Sequence, residues 1–205
     1  MSNVTKHRVF ISYHHANDQA YKNELCRLND LYDVFIDASV DTGDIDDDLS
    51  DERIRQKIRD EYLKNSTVTI LLVGTETKGR KHVDWELYSS MYNGAVNKQS
   101  GILVVNLPTI YCEHFTATHP KEKETVYPEV TSWVSITESE YQERYPYMPD
   151  RIIDNLANPK ADISVTPWSK LETDIENLRF LIDATFKDKD DCEYDLSRPM
   201  RRRNS

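Results

Sequence analysis

Glu86 is the residue whose type and setting best suit chemistry. A carboxylate near the loop-side end of a helix can stabilise a developing cation or take up a proton. The position also has a plainer use, because a carboxylate in the first turn of a helix offsets the positive end of its dipole. Trp85 beside it equally suits packing. His14 and His15 are metal-ligand types, but adjacent side chains diverge, and an exposed turn fits them better. The Asp-rich stretch 41–48 lacks the ligand spacing and the twelfth-position Glu of a calcium loop, so it reads as a solvated loop. Cys26, Cys112 and Cys192 are odd in number and widely spaced, with no C-x-x-C. That argues against a disulfide framework or a zinc site, and no metal is expected. With only 5 Gly there is no phosphate-cradling glycine loop, so side chains and helix N-termini would have to hold any nucleotide. No spacing proposes a Ser-His-Asp or Cys-His arrangement.

The elements that must position these residues follow from the apolar pattern. Residues 8–13 (RVFISY) form a buried first strand. A helix is predicted over 18–29, with Tyr21, Leu25 and Leu28 on one face and Asn17 or Asp18 as its cap. Val34, Phe35 and Ile36 make a second strand ending at Asp37. After the acidic loop 39–51, Ile54, Ile58 and Tyr62 mark one face of a helix ending near 65–66. Residues 67–73 (TVTILLV) are the clearest strand, apolar enough to lie centrally between two helical layers. A helix over 82–97 follows, with Val83, Leu87, Met91 and Ala95 on one stripe and Glu86 off it. Residues 102–105 form a fourth strand. Residues 132–136 (SWVSI) suggest a fifth, at an edge, within a proline-rich stretch of long connections and short helical pieces. That stretch, 109–167, is expected to cover a sheet edge and tune assembly. Trp168, Leu171, Ile175, Leu178 and Ile182 predict one final helix. Residues from 187 onward are charged and expected to fray, Arg201, Arg202 and Arg203 included.

Strands that alternate with helices and are apolar throughout imply an α/β fold: a flavodoxin-like parallel sheet of about five strands with helices on both faces. An irregular C-terminal extension and a long last helix complete it. The expected organisation is a single domain over 1–187, with a core at 8–107, an extension at 109–187 and a charged tail at 188–205. In such sheets ligands bind beyond the carboxyl ends of the strands. That rule selects Ser12, Tyr13 and His14, then Asp37, then residues 74–81, Asn106 and the helix start leading to Glu86. The formal net charge is −10, which disfavours nucleic acid as a partner. No signal-peptide stretch follows Met1 and no apolar run is long enough to span a bilayer, so a cytoplasmic protein is expected.

Three segments together resemble the TIR-like family. They are Val9-Phe10-Ile11-Ser12-Tyr13 followed by Asp18; Phe35-Ile36-Asp37; and Ile70-Leu71-Leu72-Val73-Gly74 followed by Thr77 and Val83-Asp84-Trp85-Glu86-Leu87. The resemblance covers about residues 8–107 and is nearest to the TIR-like proteins of the Thoeris antiphage defence system. It implies a signalling enzyme of the NAD glycohydrolase or ADP-ribosyl cyclase type. Such an enzyme takes NAD as substrate rather than cofactor and makes a cyclic ADP-ribose isomer that activates a partner effector. It also implies that self-association is possible, and TIR folds serve as non-catalytic scaffolds too. Carried over, the catalytic carboxylate falls on Glu86. Phe10, Tyr13 and Trp85 would offer aromatic walls for nicotinamide or adenine, and Ser12 and Asp37 would hold ribose hydroxyls. His82 replaces the first Trp of the family's usual pattern, which implies either an altered wall or a contact of His82 itself with substrate.

Overall fold

The computed structural model describes residues 5–39, 49–95 and 97–204. Its sheet has five parallel strands in the order β2-β1-β3-β4-β5. They are β1 (Arg8–Ser12), β2 (Ile36–Asp37), β3 (Val68–Val73), β4 (Gly101–Asn106) and β5 (Ser164–Pro167). Among them run α1 (His15–Tyr32), α2 (Asp51–Lys57), α3 (Lys81–Met91), α4 (Glu122–Val126), α5 (Glu138–Arg144), α6 (Asp150–Leu156), α7 (Trp168–Thr173) and α8 (Ile175–Asp188). A π-helical turn, Ile58–Tyr62, prolongs α2.

Strand period two explains the layers. Val9 and Ile11 join Ile70, Leu72, Leu103 and Val105 on one face, under Leu25 of α1 and Leu178, Leu181 and Ile182 of α8. Leu71, Val73, Ile102 and Val104 face the other way, against Val83, Leu87 and Met91 of α3 and Ile152 and Ile153 of α6. On that second side Phe10 packs with Ile54 and Ile58 of the α2 segment, Trp85 and Met200. Because β3 and β4 are covered on both faces, their sequences show unbroken apolar runs.

Several boundaries differ from expectation. Residues 132–136 are not a strand: they have no ladder partner, Val134 is 71% exposed, and Trp133 turns into an aromatic cluster with Phe115 and Tyr127. The fifth strand is β5, which pairs with β4 from Leu103↔Ser164 to Asn106↔Pro167. Pro167 is tolerated there because an edge strand can spare an N–H. The extension does cover this edge, since Thr116 exchanges two backbone hydrogen bonds of 2.9 Å with Val165. The predicted last helix is two, broken at Asp174, whose carboxylate caps α8 by accepting from the Glu176 amide at 2.9 Å. Helix α1 starts earlier than predicted: its cap is His14, not Asn17 or Asp18, and makes no side-chain capping bond. Helix α3 stops at Met91, ahead of Asn93-Gly94, so Ala95 lies outside it. β2 pairs only at Ile36 and Asp37, with Val34 and Phe35 buried just before it. Most of the acidic loop falls outside the described residues.

The stretch after Lys187 is not a frayed tail. Cys192 and Met200 are buried, and Asn155 accepts from the Asp195 amide at 2.7 Å through its side chain. Arg201 is half-buried, and Arg202, though exposed, is tied down by the partners given below. The apolar anchors are single residues among charges, which is why composition alone suggests solvation.

Candidate functional site

β1 and α3 together build the site. Parallel pairing of β1 with β3 sets the carboxyl end of β1 beneath the first turns of α3. There the Ser12 hydroxyl donates to Glu86 Oε2 at 2.6 Å. Both side chains are buried, Glu86 with only 4% of its surface exposed. Burial pushes the Glu86 carboxyl up to about 7, and the Ser12 hydrogen bond, which favours the anion, opposes the rise. The result is a carboxyl poised between charged and neutral near physiological pH, a state that suits a group meant to exchange a proton or meet a transient cation.

A second buried carboxylate lies at the carboxyl end of the neighbouring strand β3. Asp18, in the first turn of α1, is 2% exposed, and burial pushes it up to about 6 against an opposing hydrogen bond from Thr77. Its Oδ2 has no hydrogen-bond partner among the described residues. Asp18 rests directly on Gly74 at the end of β3, where an added Cβ would stand 2.4 Å from its Oδ1. The Thr77 hydroxyl in turn accepts from the Gly74 amide at 2.9 Å. The sequence singled out Asp18 as part of a motif but not as a buried acid, since burial is not visible in spacing.

The other expected residues divide. Phe10 and Trp85 come together, but both are buried in the cluster with Ile54, Ile58 and Met200, so they are packing rather than an open aromatic wall. The Trp85 indole N–H donates to the Arg201 carbonyl at 2.8 Å. His82 is exposed, lies edge-on to Trp85 with ring centres 5.0 Å apart, and stands one helical turn before Glu86 on the same face. Tyr13 points away from Ser12, as alternate strand residues must. It packs in the cluster on the opposite side of the sheet, its hydroxyl donates to Gln19 at 2.7 Å, and its ring stacks on His15. Asp37 is exposed and accepts from the Ser39 amide at 2.8 Å. It lies opposite Val9, three residues or about 10 Å along the strand from Ser12. A cavity of about 620 Å³ opens elsewhere, beyond the β5 edge, lined by Phe115, Trp133, Tyr141 and Arg144 and not by Glu86. Among the described residues no three His, Cys, Asp or Glu side chains gather as a metal site, and no helix is long and apolar enough to cross a membrane.

Sequence spacing missed the contacts that finish α3. Asp84 is held by a buried bidentate pair with Arg151, at 2.9 and 3.1 Å. Their separation of 67 residues hid them from any local pattern.

Residues 10–110, which carry β1 to β4 and α1 to α3, match the family model described as Thoeris protein ThsB, TIR-like domain. Over these residues the chain carries a TIR-like domain of this family. It is thereby a TIR-domain protein of the antiphage-defence type. No curated protein matches the chain. The matched TIR-like segment contains Ser12, Asp18 and Glu86, whereas Arg151, Met200 and Arg201 lie beyond it.

Proposed function

We propose that this TIR-like protein is an NAD-processing signalling enzyme with Glu86 as its catalytic carboxylate. It would cleave the bond between nicotinamide and ribose and rejoin the ADP-ribose into a cyclic isomer, which then activates a partner effector. One observation carries the reading: a buried carboxyl, poised near 7 and hydrogen-bonded to Ser12, at the carboxyl ends of a parallel sheet.

The chemistry would run as follows. The bonding pair of the N-glycosidic bond leaves with nicotinamide, which departs neutral and leaves an oxocarbenium-like ribose. The Glu86 carboxylate stabilises that charge, as carboxylates do in glycoside cleavage. A nucleophile on the same ADP-ribose then attacks C1′, and the proton it loses passes to Glu86. Ser12 orients the carboxylate and keeps part of it ionised. His82, exposed one turn away, is placed to meet the departing ring. Since Glu86 is almost fully covered, entry of a dinucleotide requires that cover to move, so turnover of the resting protein is expected to be slow until self-association or a trigger opens the site.

The test compares parent and Glu86→Gln in phage-infected cells. Small molecules are filtered from lysate and searched by mass spectrometry for a species of the mass of cyclic ADP-ribose. The product should appear only with the parent, with nicotinamide release reduced by roughly 100-fold or more in the variant. A variant that still makes nicotinamide at the parent rate would sink the proposal. Unchanged NAD in both would favour a scaffold role.

A further inference from the structure

Helix α3 begins without a cap of its own. Its N-cap residue is Arg80, which makes no side-chain capping bond, so the first amides of the helix need partners from elsewhere. The stretch of chain at residues 198–204 supplies one of these partners and further holds the side chains of that first turn. The Asn204 side chain accepts from the Lys81 amide at 3.0 Å. The Arg201 amide donates to Asp84 Oδ2 at 2.8 Å, and the Arg201 carbonyl accepts from Trp85 Nε1. Met200 fills the space between Trp85, Phe10 and Ile54. Arg151 locks the strap in place: it grips Asp84 and donates to the carbonyls of Arg198, at 2.9 Å, and Pro199, at 3.3 Å. Arg202 ties the far end to α2, through an ion pair with Asp51 and a 3.0 Å hydrogen bond to the Leu49 carbonyl.

These contacts converge on residues 81, 84 and 85, the turn that presents Glu86. The placement of Glu86 against Ser12 depends on how α3 sits over β1, and the wedge of Phe10, Trp85 and Met200 sets that spacing. We infer that residues 198–204, anchored by Arg151, are a positioning strap that completes the Glu86 site by capping α3 and holding it in register with β1. The inference rests on the reading of Glu86 as catalytic. It goes beyond that reading by assigning part of the site to residues outside the family-matched segment.

A chain ending at Ser197 tests it, with a synthetic peptide of residues 197–205 added back. Without the peptide kcat for nicotinamide release should fall about 10-fold or more while KM changes by less than about 3-fold, because a misplaced carboxylate costs turnover rather than binding. Peptide should restore kcat. Hydrogen exchange at the amides of residues 81–86 should be faster in the shortened chain and slow again with peptide. Unchanged kcat and unchanged exchange would overturn the inference. If the shortened chain does not fold, Asn204→Ala serves: exchange should quicken in the first turn of α3 and kcat should drop about 3-fold, with Asn204→Asp restoring both. An Asn204→Ala protein with parental exchange and turnover would equally overturn it. A parent that leaves NAD untouched even in phage-infected cells would refute the role of Glu86 instead, and exchange with and without peptide would then decide the strap by itself.

Discussion

At Glu86 two effects oppose each other. Burial favours the neutral acid, while the Ser12 hydroxyl, donating to Oε2, favours the anion. If the anion is the working form, kcat/KM for nicotinamide release should rise with pH and level off above an inflection at about 7. Ser12→Ala removes the stabilising donor, so its inflection should move upward; a shift downward in the pH profile would contradict this account. The same burial makes Glu86 costly to the fold. Its folded pKa lies above the ordinary carboxylate value, so its stability contribution is complete below about 4.5 and is lost as pH rises through about 7. Glu86→Gln carries no charge and escapes that loss. Urea denaturation should therefore find Glu86→Gln more stable than the parent by roughly 1–3 kcal/mol near pH 8, with the difference vanishing near pH 4. An inactive but stabilised variant is the expected signature of a strained functional site.

Helices α1 and α3 meet the sheet through contacts too close to be replaced freely. Gly74 lies so near Asp18 that a methyl group cannot enter without displacing the buried carboxylate. Gly74→Ala should lower stability by about 1–3 kcal/mol, read from thermal melts. Its backbone is not left-handed, so the effect is steric, and adding Asp18→Ala should recover part of the loss in a double-mutant cycle. Additive losses would show that the two residues do not press on each other. For α3 the sequence carried a clear apolar stripe, yet nothing local revealed that its first amide is capped by Asn204, a partner 123 residues away.

Across the whole molecule the family-matched front half and the irregular back half are tied together. Arg151 and Asp84 form a buried bidentate pair that joins α6 to α3. Arg151→Met should cost about 3–5 kcal/mol in chemical denaturation, because it leaves the Asp84 carboxylate buried with its guanidinium partner gone. A cost under about 1 kcal/mol would mean that water or another cation takes over. The extension also closes the sheet, since the Thr116 bridge to Val165 occupies the outer edge of β5 that would otherwise offer unpaired backbone.

The first four strands and the helices between them were legible because apolar periodicity and short motifs are local. So was the position of Glu86 near the carboxyl ends of the strands, where a parallel sheet usually binds its ligands. Local pattern was thus enough for a TIR-like α/β core with Glu86 near the carboxyl ends of its strands. Tertiary structure decided the rest. It chose residues 164–167 over 132–136 as the fifth strand, because both alternate but only one reaches the free edge of β4. It turned Tyr13 and Asp37 away from Glu86, brought Ser12 onto it and buried Asp18 against Gly74. It also folded a charged stretch that composition marked as solvated into a strap across α3. Burial, partner choice and long-range pairing depend on which surfaces meet, and that is decided only when the whole chain has packed.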